Sequence, residues 1–318
     1  MRTAYRAAMG GMLASLVAAA AAAAAPAEIS IPGDHTFPES ITGTSDGTLY
    51  IGSLGDGAIY RVPPGGSAAE PFIAKGSSDL LSVIGVLADE NSGTLWVCSS
   101  DLSGAGVTVP TGKKPTALKA FDLKTGTEKG SVALPGDKQF CNDITIGKDG
   151  AAYVADSLNP TILRLRPGAT AFEVWAKDDR FGGEGFNLDG IAFGSDGNLY
   201  VNTYNTHRLF RVAVGADGAA GTVTELKPSQ PLDHPDGMRM LGQNSFLMIE
   251  GAGRLDRVTV DGDTAKIEVL KDGMKVPVSV WQVGDTAWAL EGQLNLLFDP
   301  AMKGTKPDPF RAIAVSVK

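Results

Sequence analysis

Four oxygen-bearing side chains recur at one spacing ahead of a repeated apolar motif, and together they could hold a metal ion. The motif occurs six times, at residues 48–51, 94–97, 151–154, 198–201, 245–248 and 286–289. Counting back ten residues from the second residue of each of the six copies gives Glu39, Gly85, Asn142, Asp189, Asp236 and Pro277. Three carboxylates converging on one point would repel one another strongly unless something neutralised them. We therefore predict a metal site formed by Glu39, Asn142, Asp189 and Asp236.

The chemistry of this set favours a hard divalent cation. Ca²⁺ takes carboxylate and amide oxygens and completes its shell with water, so it is the expected metal. Zn²⁺, Mn²⁺ and Mg²⁺ stay open, although zinc is disfavoured because the set holds no Cys or His. Any one of these acids alone could instead cap a turn or pair with a Lys or Arg. The common register of four polar residues is what favours the metal.

The elements around the motif predict the fold. An apolar stretch and a Gly-containing turn, such as Lys148–Gly150 or Ser195–Gly197, precede each copy, which is a strong hairpin signal. Two further alternating runs follow in most copies, and the six copies recur every 41 to 57 residues. This pattern predicts an all-β fold, a six-bladed β-propeller with four-stranded blades. A β-solenoid is the alternative, but its coils are usually shorter.

We expect one domain, residues 28–318, whose terminal strands close the ring. The segments Glu28–Ile31 and Arg311–Val317 are the candidates to share the last blade, because an open ring would leave sheet edges unpaired. The first strand of each blade should line the central channel. The four polar residues would then meet at one mouth of it.

Other polar residues are predicted at the same mouth. We expect the substrate to contact Asn142, Asp143, Asn205, His207, Glu250 and Glu291. Taken singly, most residues that follow a second strand, Asp101 and Asp156 included, are more often turn or packing residues. A lone histidine such as His35 or His234 is also more often structural, although one near the metal could move protons. The longest interval contains an insertion at 101–115, which is either a lid or a passive surface loop.

The N-terminus and the charge restrict location and partners. Arg2 and Arg6 precede an apolar, alanine-rich run that ends in Ala25–Ala27, a small-x-small cleavage pattern. Residues 1–27 are therefore predicted to be a signal peptide, and the mature protein periplasmic or secreted; so alanine-rich a run disfavours a permanent anchor. We expect a small-molecule substrate and no membrane association after cleavage. The net charge of −8 argues against a nucleic-acid partner, and the oligomeric state is not predicted.

Two cysteines, Cys98 and Cys141, each lie next to a repeat strand. Both could lie at the same end of neighbouring units. Export would place them in an oxidising compartment. The sequence leaves open whether they form a disulfide or remain two buried thiols.

Four motifs in register resemble those of the regucalcin and gluconolactonase-type propellers. They are Phe37–Ser40, Cys141–Asp143, Asn187–Ile191 and His234–Met238. The resemblance covers the whole mature chain and implies a calcium- or zinc-dependent lactonase. It implies that Glu39 and Asp236 are metal ligands and that Asn142 faces the substrate near the metal. It also makes Asp236 the first candidate for the catalytic base, with Asp189 as the second. Asp189 stands where that family usually has a ligand Asn, and this departure adds negative charge.

Three hypotheses about function follow. The first is an exported, metal-dependent hydrolase of a lactone or related ester, in which the metal polarises the carbonyl and a carboxylate activates water. The second is a propeller without catalytic activity that binds a small molecule or a protein partner and holds a structural ion. The third is a propeller enzyme of another reaction class, similar to strictosidine synthase, because one fold carries many chemistries.

Overall fold

A computed structural model describes residues 1, 26–302 and 304–318. The predicted signal peptide lies almost entirely outside these residues. Within them, no helix is long and apolar enough to span a membrane. Nearly all regular structure is β-strand; helical turns are limited to α1 (Asn295–Phe298) and the 3₁₀ turns Ser77–Asp79, Ser103–Ala105, Asp179–Phe181 and Pro300–Met302.

The described residues form 25 strands grouped into six sheets. In chain order they are β1 (Glu28–Ile31), β2 (Pro38–Gly43), β3 (Leu49–Ser53), β4 (Ile59–Val62), β5 (Glu70–Ile73), β6 (Ser82–Asp89), β7 (Thr94–Ser100), β8 (Ala117–Asp122), β9 (Glu128–Ala133), β10 (Cys141–Ile146), β11 (Ala152–Asp156), β12 (Thr161–Leu165), β13 (Glu173–Lys177), β14 (Leu188–Phe193), β15 (Leu199–Thr203), β16 (Arg208–Val214), β17 (Ala220–Glu225), β18 (Lys227–Pro228), β19 (Pro235–Gly242), β20 (Ser245–Glu250), β21 (Arg254–Asp261), β22 (Thr264–Lys271), β23 (Pro277–Val283), β24 (Thr286–Glu291) and β25 (Phe310–Ser316).

Each sheet is an antiparallel meander of four strands, as the repeat predicted. Blades 1 to 4 are β2–β5, β6–β9, β10–β13 and β14–β17, and blade 5 is β19–β22 with the short β18 added at its edge. The inner strands β2, β6, β10, β14, β19 and β23 contact one another in cyclic order around the axis. The six-bladed propeller is therefore confirmed.

The last blade joins both ends of the chain. Its order is β23–β24–β25–β1, with Ile29 opposite Ala312 and Ile31 opposite Phe310. The predicted closure by the two terminal strands is confirmed. It completes the last blade with a fourth strand, so that β25 is paired on both of its edges.

The core is divided into six apolar layers, one between each pair of neighbouring blades. The layer between blades 1 and 2, for example, packs Tyr50 and Ile59 against Val86, Val97 and Phe121. Side chains alternate between the two faces of each strand, so both faces of a blade contribute to the layers beside it. This packing fixes the six inner strands and with them the residues at the mouth of the channel.

A disulfide joins Cys98 of β7 to Cys141 of β10. The two half-cystines belong to neighbouring blades 2 and 3, and their Cα atoms lie 5.1 Å apart. The alternative of two free thiols is therefore wrong for this structure. The bond ties the blade that carries the insertion to a blade that carries one of the predicted ligands.

Candidate metal centre at the channel mouth

The six inner strands share one irregularity near their start. Pairing with the second strand shifts register in every blade, for example between Cys141 and Ile144 and between Leu188 and Ile191. Such a β-bulge re-aims side chains away from the ladder and is common beside active sites. The first residue inside each break is Glu39, Ile84, Asn142, Asp189, Asp236 or Val278.

The sequence count identified this position in four blades and missed it by one residue in two. Gly85 and Pro277 were expected there, whereas the equivalent residues are Ile84 and Val278. The cause is the length of the first hairpin, which is one residue longer in blade 2 and one residue shorter in blade 6 than in the other blades. A fixed count of ten residues therefore fails in those blades.

The four predicted ligands come together. They line one small cavity of about 10 Å³. The other residues that line it are Ser40, Gly85, Asp143, Gly237, Val278 and Ser279. Each of the four side chains is at most 7% exposed. A cavity of this size has room for one water-sized group.

Hydrogen bonds orient the members of this set. Asn142 Nδ2 donates to Asp189 Oδ2 and to Ser157 Oγ, both at 2.9 Å. Ser157 in turn donates to the carbonyl of Leu188. Because Nδ2 makes both bonds, the amide oxygen of Asn142 is the atom left to act as a ligand. Asp236 Oδ1 accepts from the N–H of Gly237 at 2.7 Å.

Positive charge is scarce around these acids. Arg239 of β19 forms a two-pronged salt bridge with Asp143 of β10, with nitrogen–oxygen distances of 2.5 and 2.9 Å. Both side chains are buried. The mouth thus holds four buried carboxyl groups, and the one guanidinium that acts on them is already paired with Asp143.

Burial and mutual repulsion favour the neutral forms of Glu39, Asp189 and Asp236, which together are called the ring acids below. Burial and then the charge of Asp143 raise the pKa of Asp189 to about 8. Burial and then Asp189 raise the pKa of Asp236 well above its usual range, and the same two causes act on Glu39. A cation at this point would favour the ionised forms of the same carboxyls, because a carboxylate must be deprotonated to act as a metal ligand.

The acids of the cavity are less tightly grouped than a second cluster at the mouth. In the part of the chain described, the acids and histidines whose ligand atoms all lie within 4.8 Å of one another in a group of three are His207, Asp233 and His234, not the cavity carboxylates. At least one pair among Glu39, Asp189 and Asp236 is therefore farther apart than 4.8 Å, and these side chains would have to move closer together to bind one small ion directly.

Glu250 and Glu291 were predicted to bind substrate, but their contacts favour a positioning role. Each lies at the end of a second strand, is buried, accepts a hydrogen bond from the chain that leads into its own inner strand, and pairs with an arginine. The contacts are Asp233 N to Glu250 Oε2 (2.6 Å), Lys275 N to Glu291 Oε1 (2.8 Å), Arg254 to Glu250 and Arg311 to Glu291. Substrate binding by these residues stays a prediction that no contact supports.

The other predicted substrate contacts divide in the same way. Asp143 faces the cavity but is occupied by Arg239. Asn205 is exposed at the mouth and donates to the carbonyl of Glu184 at 2.9 Å. His207 lies at the rim beside His234, with ring centroids 4.4 Å apart. Asp156 accepts from the N–H of Phe140, which is a structural contact.

Sequence reasoning missed two buried residues that fix the site. Asn202 of β15 accepts from the N–H of Gly190 at 3.0 Å and donates to the carbonyl of Asp236 at 2.7 Å, so it joins the inner strands of blades 4 and 5. Arg239 had a signal that could have been used. A single charge inside the apolar run Met238–Met240 must find a buried partner.

Two loops pack beside blades 2 and 6, the two blades that lack a ligand and that flank blade 1. The insertion after β7 buries Leu102 and Val107, and it lines a groove of about 510 Å³ with His35, Phe37 and Leu297. The second loop, between β24 and β25, carries α1, and its Leu294 and Leu297 pack against the same apolar layers. The insertion therefore projects at the same end as the ring residues, as predicted.

Comparisons with known proteins agree on the fold. The chain is similar to regucalcin, a calcium-binding protein from Agrobacterium tumefaciens (TM-score 0.65, 15% identity, 90% of this chain and 93% of that one). It is also similar to a gluconolactonase from Xanthomonas campestris (0.62, 15%, 89% and 87%) and to virginiamycin B lyase from Staphylococcus aureus (0.61, 16%, 90% and 83%). The fold is that of the regucalcin and gluconolactonase propellers. The resemblance in the motifs is confirmed at that level.

No protein-family model and no curated protein sequence matches the chain. At 15–16% identity, likeness to the regucalcin-type fold says nothing by itself about the reaction. The residues at the mouth must carry any argument about function.

Proposed function

We propose that this protein is an exported, metal-dependent hydrolase that opens a lactone or a related ester. The proposal rests on one observation, the imbalance of buried charge at the channel mouth. Glu39, Asp189 and Asp236 share one cavity, and the nearby guanidinium of Arg239 is paired with a fourth acid. Buried carboxylates are costly unless they are paired or coordinate a metal.

The donor set fits a divalent cation. Glu39, Asp189 and Asp236 would supply carboxylate oxygens and Asn142 its amide oxygen, all from the bulges of four different blades. Oxygen donors alone favour Ca²⁺ over Zn²⁺. A calcium-binding protein is among the structures with this fold. When bound, the ion would polarise an ester carbonyl and stabilise negative charge on its oxygen.

The side chains of the chain itself supply the remaining steps. Asp236 accepts a proton from the attacking water, and its Oδ1 is already fixed by the N–H of Gly237. Asp189 is the second candidate for this role, and its bond from Asn142 holds it in place. The apolar residues of blades 2 and 6, which lie on either side of blade 1, exclude water from the leaving part of the substrate. Gluconolactonase activity in a protein of the same fold makes a lactone the first substrate to test.

The disulfide supports the proposed export. Bonds such as Cys98–Cys141 form and persist in the periplasm or outside the cell and are rare in the cytosol. A signal peptide over residues 1–27 would deliver the chain to such a compartment.

The test is turnover by the purified mature protein against sugar lactones, aliphatic lactones and aryl esters. The protein is stripped with a chelator and then reconstituted with Ca²⁺, Zn²⁺, Mn²⁺ or Mg²⁺ in parallel. We expect activity only after reconstitution, and a fall in kcat of about 10²- to 10⁴-fold in Asp236→Asn, the range for a lost general base. Glu70→Gln, which neutralises an exposed acid on the outer strand β5, is the matched control.

Two results would overturn the proposal. Full activity in the chelated protein would remove the metal, and unchanged kcat in Asp236→Asn would remove the base. Stoichiometric Ca²⁺ binding without turnover of any substrate would favour the alternative of a binding propeller with a structural ion. Elimination instead of hydrolysis would favour an enzyme of another class, and virginiamycin B lyase is a protein of this fold.

A further inference from the structure

A second group of potential ligands lies at the rim of the mouth, outside the ring of carboxylates. His207 lies in the turn between β15 and β16 of blade 4, and Asp233 and His234 precede β19 of blade 5. One ligand atom from each of the three lies within 4.8 Å of the other two. His234 Nδ1 is 2.7 Å from Asp233 Oδ1. Two of the three histidines in the chain thus meet across a blade boundary.

The backbone holds this group in an unusual conformation. His207 and His234 have φ angles of 56° and 55°, in the left-handed region that few residues other than glycine adopt. The N–H of His207 donates to the carbonyl of Thr203, and the carbonyl of His234 accepts from Gly251. Asp233 is fixed through its own N–H, which donates to the buried carboxylate of Glu250. The ligand positions are therefore set by the surrounding blades before any ion arrives.

We propose that His207, His234 and Asp233 bind a borderline transition-metal ion, with Zn²⁺ as the reference case. Imidazole nitrogens suit Zn²⁺, Ni²⁺ and Cu²⁺, whereas Ca²⁺ prefers oxygen. Two histidines and one carboxylate leave at least one coordination position open to water or a small ligand. The proposal stands on this geometry and does not depend on the hydrolase.

Only a small adjustment is needed to bind such an ion. Ligands around a tetrahedral zinc ion lie within roughly 3.5 Å of one another, given metal–ligand bonds of about 2.0–2.1 Å. The three side chains are partly or fully exposed, so they have room to close by that amount. The ion would take the place of the direct contact between His234 Nδ1 and Asp233 Oδ1.

His207, Asp233 and His234, called the rim group below, border the ring acids but are separated from them by Tyr204. The tyrosine ring packs on His234 with a centroid distance of 5.0 Å. Burial and then the negative charges of Asp236, Asp189 and Asp233 raise the pKa of its phenol, so it stays neutral between the two groups. The mouth then has a site for a hard cation inside and a site for a borderline cation at the edge.

The experiment titrates Zn²⁺ into the full mature protein, with the purification tag removed and the ring saturated with Ca²⁺. We expect one equivalent of Zn²⁺ per chain by isothermal titration calorimetry. Cu²⁺ in its place should give an electron paramagnetic resonance spectrum with nitrogen couplings from two imidazoles. His207→Ala and His234→Ala should each weaken Zn²⁺ binding by at least about 10- to 100-fold, the loss caused even by removing an outer-shell partner. Asp233→Asn should weaken it less.

His35→Ala is the control, because His35 is exposed and lies outside the group. It should leave Zn²⁺ affinity unchanged. Equal affinity in His207→Ala and the wild type, or no stoichiometric binding, would overturn the proposal. Zn²⁺ binding that persists in His207→Ala and disappears in Asp189→Asn would place the ion in the ring and would overturn it as well. None of these outcomes depends on whether the protein hydrolyses a lactone.

Discussion

Two sets of blades at the channel mouth are built on the same backbone and carry opposite chemistry: a polar set, blades 1, 3, 4 and 5, and an apolar set, blades 2 and 6, which lie on either side of blade 1. All six inner strands have a bulge at the equivalent position, but blades 1, 3, 4 and 5 place Glu39, Asn142, Asp189 and Asp236 there. Blades 2 and 6 place Ile84 and Val278, which are buried and apolar. The bulge is thus a property of the fold, and the residue inside it decides what a blade contributes.

The loops follow the same division. The insertion of blade 2 and the α1 loop of blade 6 pack Leu102, Val107, Leu294 and Leu297 beside the apolar positions. The polar set has exposed groups at its rim. One set of blades is therefore arranged to hold charge and the other to exclude water, and the following predictions test that division.

The largest effect should come from removing the buried guanidinium of Arg239, which pairs with Asp143 in the polar set of blades. Arg239→Met leaves Asp143 as an uncompensated buried charge, which costs about 3–5 kcal/mol in the free energy of unfolding. Urea denaturation measures it. Arg257→Met, which breaks a more exposed pair with Glu268, should cost about 0–1 kcal/mol. Adding Asp143→Asn to Arg239→Met should restore much of the loss, and a cost below that of Arg257→Met would contradict the assignment.

The next effect concerns the disulfide, which joins blade 2 of the apolar set to blade 3 of the polar set. Replacing both half-cystines, Cys98→Ala with Cys141→Ala, should lower the free energy of unfolding by about 2–4 kcal/mol, mainly because the unfolded chain is less constrained. Denaturation with and without a reductant measures it. The wild type should lose stability on reduction and the double variant should not respond. A wild type insensitive to full reduction would show that the bond contributes nothing.

Substitutions in the two sets of blades should differ in their effect on metal binding. Asp189→Asn should weaken Ca²⁺ binding by at least about tenfold, since it removes a charged ligand. Ile84→Val alters the equivalent position in the apolar set and should leave Ca²⁺ affinity unchanged, at a cost of about 0.5–1.5 kcal/mol in the free energy of unfolding. Calcium titration calorimetry compares them. Equal losses in both variants would mean that the bulge residues are not divided as described.

The smallest effect comes from a second buried acid pair, which lies away from the cavity. Glu250 Oε1 and both carboxylate oxygens of Asp256 are buried, and no group among the described residues donates a hydrogen bond to them. A proton held between the two carboxyls would satisfy them. Burial and then Glu250 raise the pKa of Asp256 to about 8, with Arg254 opposing and Asp272 adding to the shift.

The sign of the pH dependence follows from that shift. Between about pH 4, where the unfolded carboxyl ionises, and pH 8, the folded state binds more protons, so stability falls as pH rises. Asp256→Asn removes this loss. Its Tm relative to the wild type should therefore rise from pH 5 to pH 8, by at least about 2 °C, the shift given by about 1 kcal/mol. A difference in Tm that does not change with pH would rule out a shifted Asp256.

The repeats were readable from the sequence because strand pairs separated by Asp-Gly turns carry both periodicity and turn chemistry. The ligand position was readable in four blades because their hairpins have one length. The count of ten residues failed at Ile84 and Val278, where the length of the first hairpin differs by one residue. The pair Asp143–Arg239 spans 96 residues, and no local pattern predicts such a contact. The rim group was missed for the same reason, since His207 and His234 meet only through the stacking of two blades.

The shared last blade has a consequence for how the chain reaches its folded state. β1 is the first strand of the chain and β25 the last, and each is the other's hydrogen-bonding partner. The ring therefore stays an open arc, with the edges of β1 and β24 exposed, until the final strand is available. Pairings between distant segments form slowly because a long loop must close first. Any chaperone that binds the folding chain would have to protect that gap until residues 310–316 arrive.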